Sequence, residues 1–186
     1  MTLRQWTKDD IKDLANLMNH VDRSYLSNGL PYPYTDDHAQ WWLNMVADKD
    51  EKDGLYRAVI VDEKIVGMVS LEKKSDVFEK DADISYLFMT EYWGKGITTQ
   101  AVMEFCKEAL GKLDILRITA CVFGENEASK KVLTKAGFVF EGVMRNAVYK
   151  NEYVPDASSE PLAHTIRRSA PAGIITFSAI AKLTLD

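Results

Sequence analysis

Cysteine and histidine are scarce in this 186-residue chain, which holds two of the first, Cys106 and Cys121, and three of the second, His20, His38 and His164. So few thiols exclude a disulfide framework. Cys106 on the apolar face of a helix and Cys121 in the following strand both read as reduced core residues. The histidines are scattered without ligand spacing, so no metal site is expected. Basic clusters are missing too: the net charge is −5 and no block of Lys or Arg dominates a segment. That argues against a nucleic-acid partner and favours a cationic acceptor. No apolar run has the length of a membrane span, and MTLRQWTKDD lacks the apolar stretch of a signal peptide. A cytoplasmic protein with no membrane partner is the expectation. With 46% hydrophobic and 27% charged residues, the composition supports one globular domain over residues 1–186.

What is present is organised around residues 82–112. DISYLFM is β-branched and aromatic enough for a buried strand, TEYWGKG reads as a glycine-bearing turn, and ITTQAVMEFCKEALGK as a helix. Gly94 and Gly96 let the backbone turn tightly and approach a ligand with no Cβ in the way. In the helix, Ile97, Ala101, Val102, Phe105, Cys106, Ala109 and Leu110 recur at three- and four-residue spacing and form one apolar face. The helix N-terminus stays open. Its unpaired N–H groups, the positive end of its dipole, Lys95 and the hydroxyls of Thr98 and Thr99 suit a pyrophosphate. A plain helix cap with a solvated Lys95 satisfies the same letters. Two other phosphate binders are excluded by spelling: no glycine precedes Gly94 at the Walker spacing, and Thr99 stands where a dinucleotide fingerprint needs its third glycine.

Elsewhere, residues 3–6 read as a short strand, and Thr7, Asp9 and Asp10 open a helix to about Asn19 that buries Ile11, Leu14, Leu17 and Met18. Pro31 and Pro33 forbid regular helix around Tyr32 and Tyr34, and Thr35 and Asp36 cap a second helix through Val46. Tyr25, Tyr32, Tyr34, Trp41 and Trp42 crowd this region, either covering the core edge or lining a pocket. Residues 55–61 and 65–72 form a hairpin across Asp62, Glu63 and Lys64. The order strand 83–89, helix, strand 113–122 implies parallel neighbours with a right-handed crossover, hence a mixed sheet. FGENEASKKVLTKAGF gives a loop and a short helix stopped by Gly137. Strands at 138–149 and 174–185 flank a Pro- and Ser-bearing loop at 155–172.

This order, with YWGKG followed by NEASKKVLTKAGF, resembles the GNAT superfamily of acetyl-CoA-dependent N-acetyltransferases, and its RimJ/RimL-like branch in particular. LRQWTKDD and GLPYPYTDDHAQWWL look like that branch's opening segments, and only the loop after Pro155 has no obvious counterpart. The superfamily's phosphate loop maps onto residues 93–98, with Trp93 in place of Gln or Arg, as in that branch, and Thr98 in place of a small residue. The resemblance implies a single-domain α/β GNAT fold: a mixed, mostly antiparallel sheet splayed at its centre, with helices on both faces. It further implies acetyl-CoA as co-substrate and no metal. The cofactor chain would lie against Phe88 and Met89 and its pyrophosphate on Trp93, Gly94, Lys95, Gly96, Ile97, Thr98 and Thr99. Asn126 and Ser129 match the far side of the cofactor, although Asn126 also reads as a helix cap.

Acetyl transfer by direct attack needs a neutral amine, a polarised thioester carbonyl and a proton for the leaving thiolate. A backbone N–H near Met89 is the carbonyl's expected partner, and Asp83 and Glu72 are the candidate bases. The tyrosine that many superfamily members use as acid falls on Leu133, so that group is missing. Ser129 matches the serine of RimL-like enzymes, with Tyr86 or Tyr92 as alternatives acting through water. The resemblance implies that Tyr32, Tyr34 and Tyr86, with residues 155–171 and their His164, Arg167 and Arg168, line the acceptor. The branch implies a protein or peptide N-terminal amine. A polyamine, an antibiotic amine or an amino acid stays open, as does a non-catalytic acyl-CoA-binding sensor, in a monomer or a homodimer.

Overall fold

The computed structural model describes residues 1–148 and 172–180. The elements run β1 (Thr2–Arg4), α1 (Ile11–His20), α2 (Asp36–Lys49), β2 (Gly54–Val61), β3 (Lys64–Lys73), β4 (Asp81–Phe88), α3 (Ile97–Lys112), β5 (Arg117–Phe123), α4 (Glu127–Lys135), β6 (Val139–Val148) and β7 (Ala172–Ile180). Local chemistry sets several boundaries. Asp62 and Glu63 take positive φ of 48° and 64°, the geometry of a tight hairpin turn between β2 and β3. Thr35 caps α2 by accepting from the His38 amide. The last loop, 155–171, lies outside the described residues, and so do the ends expected for its two flanking strands.

Seven strands form one sheet in the order β1-β2-β3-β4-β5-β7-β6. Every pairing is antiparallel except that of β4 with β5, which the intervening α3 crossover makes parallel. One apolar cluster lies under α3 and α4, where Ala101, Val102, Phe105, Ala109 and Leu133 pack on Val69, Leu71, Ile84 and Ile118. A second lies under α1 and α2, where Leu14, Leu17, Ala39 and Leu43 pack on Ala58, Met68 and Met89. Helices therefore cover both faces. Between the layers, Arg57 is only 2% exposed and holds Asp50 at 2.9 Å, Glu51 at 2.8 Å and Glu108 at 2.7 Å, tying the end of α2 to α3. Burial works against its charge, but the hydrogen bonds to Glu108 and Asp50 outweigh it and raise the guanidinium pKa.

The parallel pair is short. Residues Asp81, Ala82 and Asp83 pair with Arg117, Ile118 and Thr119, and beyond them β4 and β5 separate. The closed end of this fork is clipped by Lys74, whose ammonium reaches Asp81 at 2.9 Å, Asp83 at 3.1 Å and Thr119 Oγ1 at 3.0 Å. The open end is where the functional groups gather.

Candidate functional site

After β4 a short 3-10 turn over Thr90–Tyr92 leads into Trp93, Gly94 and Gly96, whose φ values of 72° and 80° at the glycines lie in the left-handed region. A Cβ at either glycine would meet nothing within 4 Å, so glycine is needed here for its backbone angle and leaves the loop open. Gly96 is the N-cap of α3. No side chain caps that terminus and its first turn contains no acidic residue, so its amides and dipole are available to an anion. They border a cavity of about 450 Å³, with Gly94, Gly96, Thr98 and Thr99 on one wall and Asn126, Ser129, Lys131 and Lys135 of the α4 region on the other.

The strand end beneath is prepared for a ligand. Trp93 Nε1 donates to the Phe88 carbonyl at 3.0 Å, holding the residue that ends β4. The Met89 amide donates to Val66 O at 2.9 Å, so that amide is engaged within the sheet. Because an antiparallel ladder alternates, that bond and the Gly67–Phe88 register turn the Phe88 and Tyr86 amides away from β3, toward the gap that β5 has left. Such groups suit an extended amide chain laid in the fork.

Across the fork, Tyr86 Oη and Ser129 Oγ are 2.6 Å apart. Asn126 Oδ1 accepts from the Ser129 amide at 3.0 Å, so Asn126 both caps α4 and lines the cavity. Burial pushes the Tyr86 phenol up to about 12, with the Ser129 hydrogen bond pulling the other way, so it is a neutral donor at ordinary pH. Leu133, where the superfamily often has its acid, is fully buried in the core.

A second cavity, of about 340 Å³, adjoins the first and shares Tyr25, Leu26, Tyr86, Leu87, Asn126 and Ser129 with it. Its own walls include Met68, Ser70, Ser85, Cys121 and Phe123, and no described lining residue carries a charge. The Tyr25 and Phe123 rings, 5.6 Å apart, connect the loop after α1 to the end of β5 above it.

Among the residues singled out in the sequence, Tyr86, Phe88, Trp93, Gly94, Gly96, Thr98, Thr99, Asn126 and Ser129 are brought together around the first cavity. Others are not. Lys95 lies over the Tyr92 ring at 5.3 Å, Ile97 packs on the core, and Met89 is 9% exposed. Tyr32 sits beneath the Arg23 guanidinium, and Tyr34 is buried with its hydroxyl directed at the His38 carbonyl. Glu72 and Asp83 face each other in register, the first accepting from Tyr56 Oη at 3.2 Å and the second held by Lys74, and neither lines a cavity. Cys121 is exposed rather than in the core, because β5 has parted from β4 at that point and the side chain borders the second cavity. His164, Arg167 and Arg168 lie outside the described residues. The sequence reading passed over Lys131 and Lys135, whose four-residue spacing on α4 was a usable signal, and Ser70 and Ser85, which become neighbours only through strand register.

A mixed sheet with a forked parallel pair, beside an uncapped helix N-terminus, defines the α/β acetyltransferase class. The family model of the acetyltransferase (GNAT) domain matches residues 1–139, and the chain belongs to that family. It is 33% identical over 110 residues to the Bacillus subtilis protein called "Putative ribosomal N-acetyltransferase YdaF", covering 59% of this chain and 58% of that one. To YoaA of the same organism, an uncharacterized N-acetyltransferase, it is 34% identical over 86 residues, 46% of each chain. The matches thus span about half the length of these relatives. Among solved structures, the ribosomal-protein-S5-alanine acetyltransferase of Vibrio fischeri has the same fold, with a TM-score of 0.78 at 23% identity over 97% of this chain and 92% of that one. So does RimL, the ribosomal L7/L12 α-N-protein acetyltransferase solved with coenzyme A, with a TM-score of 0.74 at 18% identity over 96% and 92%. Among the described residues, no group of three or more His, Cys, Asp or Glu is placed to hold a metal, and no helix is long and apolar enough to cross a membrane.

Proposed function

We propose that this chain moves the acetyl group of acetyl-CoA onto a primary amine by direct attack, the amine being the N-terminal α-amine of a protein or peptide in the cytoplasm. The observation that carries the reading is the meeting of two contiguous cavities at the Tyr86–Ser129 pair, one bordered by an anion cradle and one uncharged. The residues present fit CoA: the open amides of α3 suit a pyrophosphate, and the Tyr86 and Phe88 amides suit the pantetheine amides.

Acetyl-CoA supplies an activated thioester that a neutral amine attacks without an acyl-enzyme. The Phe88 amide, rather than that of Met89, polarises the carbonyl. Ser129 hands its proton to the departing thiolate and draws on the Tyr86 phenol behind it. Glu72 and Asp83 lie on the same face as Ser70 and Ser85, one strand step of roughly 7 Å beyond them. They receive the ammonium proton through water.

The second cavity favours this acceptor over a polyamine or an aminoglycoside, whose extra ammonium groups would be desolvated there without a partner. The names of YdaF and of the two solved ribosomal-protein acetyltransferases point the same way. Thiol release from acetyl-CoA with peptides bearing an uncharged first residue, compared with spermidine, tests the reading. A kcat/KM at least tenfold higher for the peptides is expected. Binding of acetyl-CoA without thiol release for any amine would replace it by the sensor reading.

A further inference from the structure

The cofactor cleft has two unlike walls. On one, α3 offers backbone amides, which are sufficient for a pyrophosphate without a lysine, and Lys95 is directed elsewhere, over the Tyr92 ring. On the other wall α4 presents Lys131 and Lys135, four residues apart and therefore on one helix face, both lining the cleft. Their neighbour Lys130 is paired with Glu127, but neither Lys131 nor Lys135 has an ion pair among the described residues. The only described carboxylate lining the cleft, Asp22, follows Val21, which pairs with Met89 at the end of β4, and Asp22 itself accepts from Ser24 Oγ at 2.6 Å. Two exposed lysines with no ion pair among the described residues thus line the cleft on the α4 side.

Coenzyme A carries one more anion than a pyrophosphate accounts for: the monoester phosphate on the 3′ position of its ribose, nearly doubly charged at neutral pH. A compact dianion suits two lysine ammonium groups, which act as point charges and need no planar fork. We infer that Lys131 and Lys135 bind the ribose 3′-phosphate and make this chain selective for CoA over 3′-dephospho-CoA. The inference rests on the reading of the cleft as an acetyl-CoA site. It assigns these lysines to recognition of the donor and not to acetyl transfer.

Calorimetric titration of the full chain with CoA and with 3′-dephospho-CoA tests it, in the wild type, in the double variant Lys131→Gln/Lys135→Gln, and in Lys130→Gln as a control on general charge. The wild type should bind CoA at least tenfold more tightly than 3′-dephospho-CoA. The double variant should bind both equally, at the wild-type affinity for 3′-dephospho-CoA, and Lys130→Gln should keep the wild-type ratio. Circular dichroism verifies that each variant is folded, which the exposure of both lysines leads us to expect. Equal binding of the two ligands by the wild type, or a ratio retained in the double variant, overturns the inference while leaving the acetyl-CoA reading in place. Failure of the folded wild type to bind either ligand removes both.

Discussion

Tyr86 on β4 and Ser129 on α4 bring their hydroxyl oxygens within 2.6 Å of each other across the fork in the sheet. The two residues are 43 positions apart, and this pair stands where the two cavities meet. If Ser129 is the acid, Ser129→Ala should lower kcat by about a hundredfold, within the usual range for general acid catalysis, and change acetyl-CoA affinity by no more than a few-fold. A retained kcat with weakened binding would remove the role.

The same pair predicts a pH dependence. The folded pKa of Tyr86, about 12, lies above the unfolded tyrosine value of roughly 10. The native state therefore holds this proton more tightly than the unfolded chain. The associated stability is complete below about pH 10 and is lost as pH rises toward the folded pKa. Denaturant titrations should show the wild type losing stability relative to Tyr86→Phe over that interval. Parallel pH profiles for the two proteins would contradict the assigned burial effect.

Arg57 is the interior charge on which α2, β2 and α3 converge. Arg57→Ala leaves the mostly buried Asp50 without its cation and Glu108 with Lys112 alone, and should cost about 3–5 kcal/mol in urea unfolding, whereas Arg57→Met should cost distinctly less. A loss below about 1 kcal/mol for the alanine variant would show that the network is as dispensable as a surface ion pair.

Gly67 lies opposite Phe88, and a Cβ there would stand 2.4 Å from the Phe88 ring and 2.7 Å from the Leu87 carbonyl. Gly67→Ala should therefore destabilise the fold by about 1–3 kcal/mol and weaken acetyl-CoA binding by displacing the end of β4. Unchanged thermal stability and affinity would contradict the close approach.

Much of the cradle was legible because it is local. Residues 93–99 carry their own turn, glycines and helix start, and α3 buries the face its spacing predicts. The hairpin and the parallel crossover followed from adjacent runs and their order. The rest depends on contacts distant in sequence. That β7 enters between β5 and β6 is decided by sheet assembly, and no local pattern encodes it. Whether Ser85 or Tyr86 faces α4 is a matter of one-residue parity on β4. Tyr34 read either as core-edge cover or as pocket lining, and the family resemblance placed it at the acceptor. Asn19 instead fixes its backbone, accepting from its amide at 2.8 Å, and the ring turns inward. Asp83 was read as a candidate base because it precedes the ligand strand; that Lys74, just after β3, meets it at the closed end of the fork depends on strand pairing that no local pattern encodes.

The central claim is that the loop from Trp93 to the first turn of α3 holds acetyl-CoA, and thermal unfolding with and without that ligand tests it most directly. At about a hundred times its dissociation constant, acetyl-CoA should stabilise the wild type by roughly 2.7 kcal/mol. Gly96→Asp, which puts a side chain and a negative charge at a φ of 80° beside the cradle, should abolish that gain while remaining folded. An equal gain in Gly96→Asp would place the ligand elsewhere, and no gain in the wild type would contradict the account.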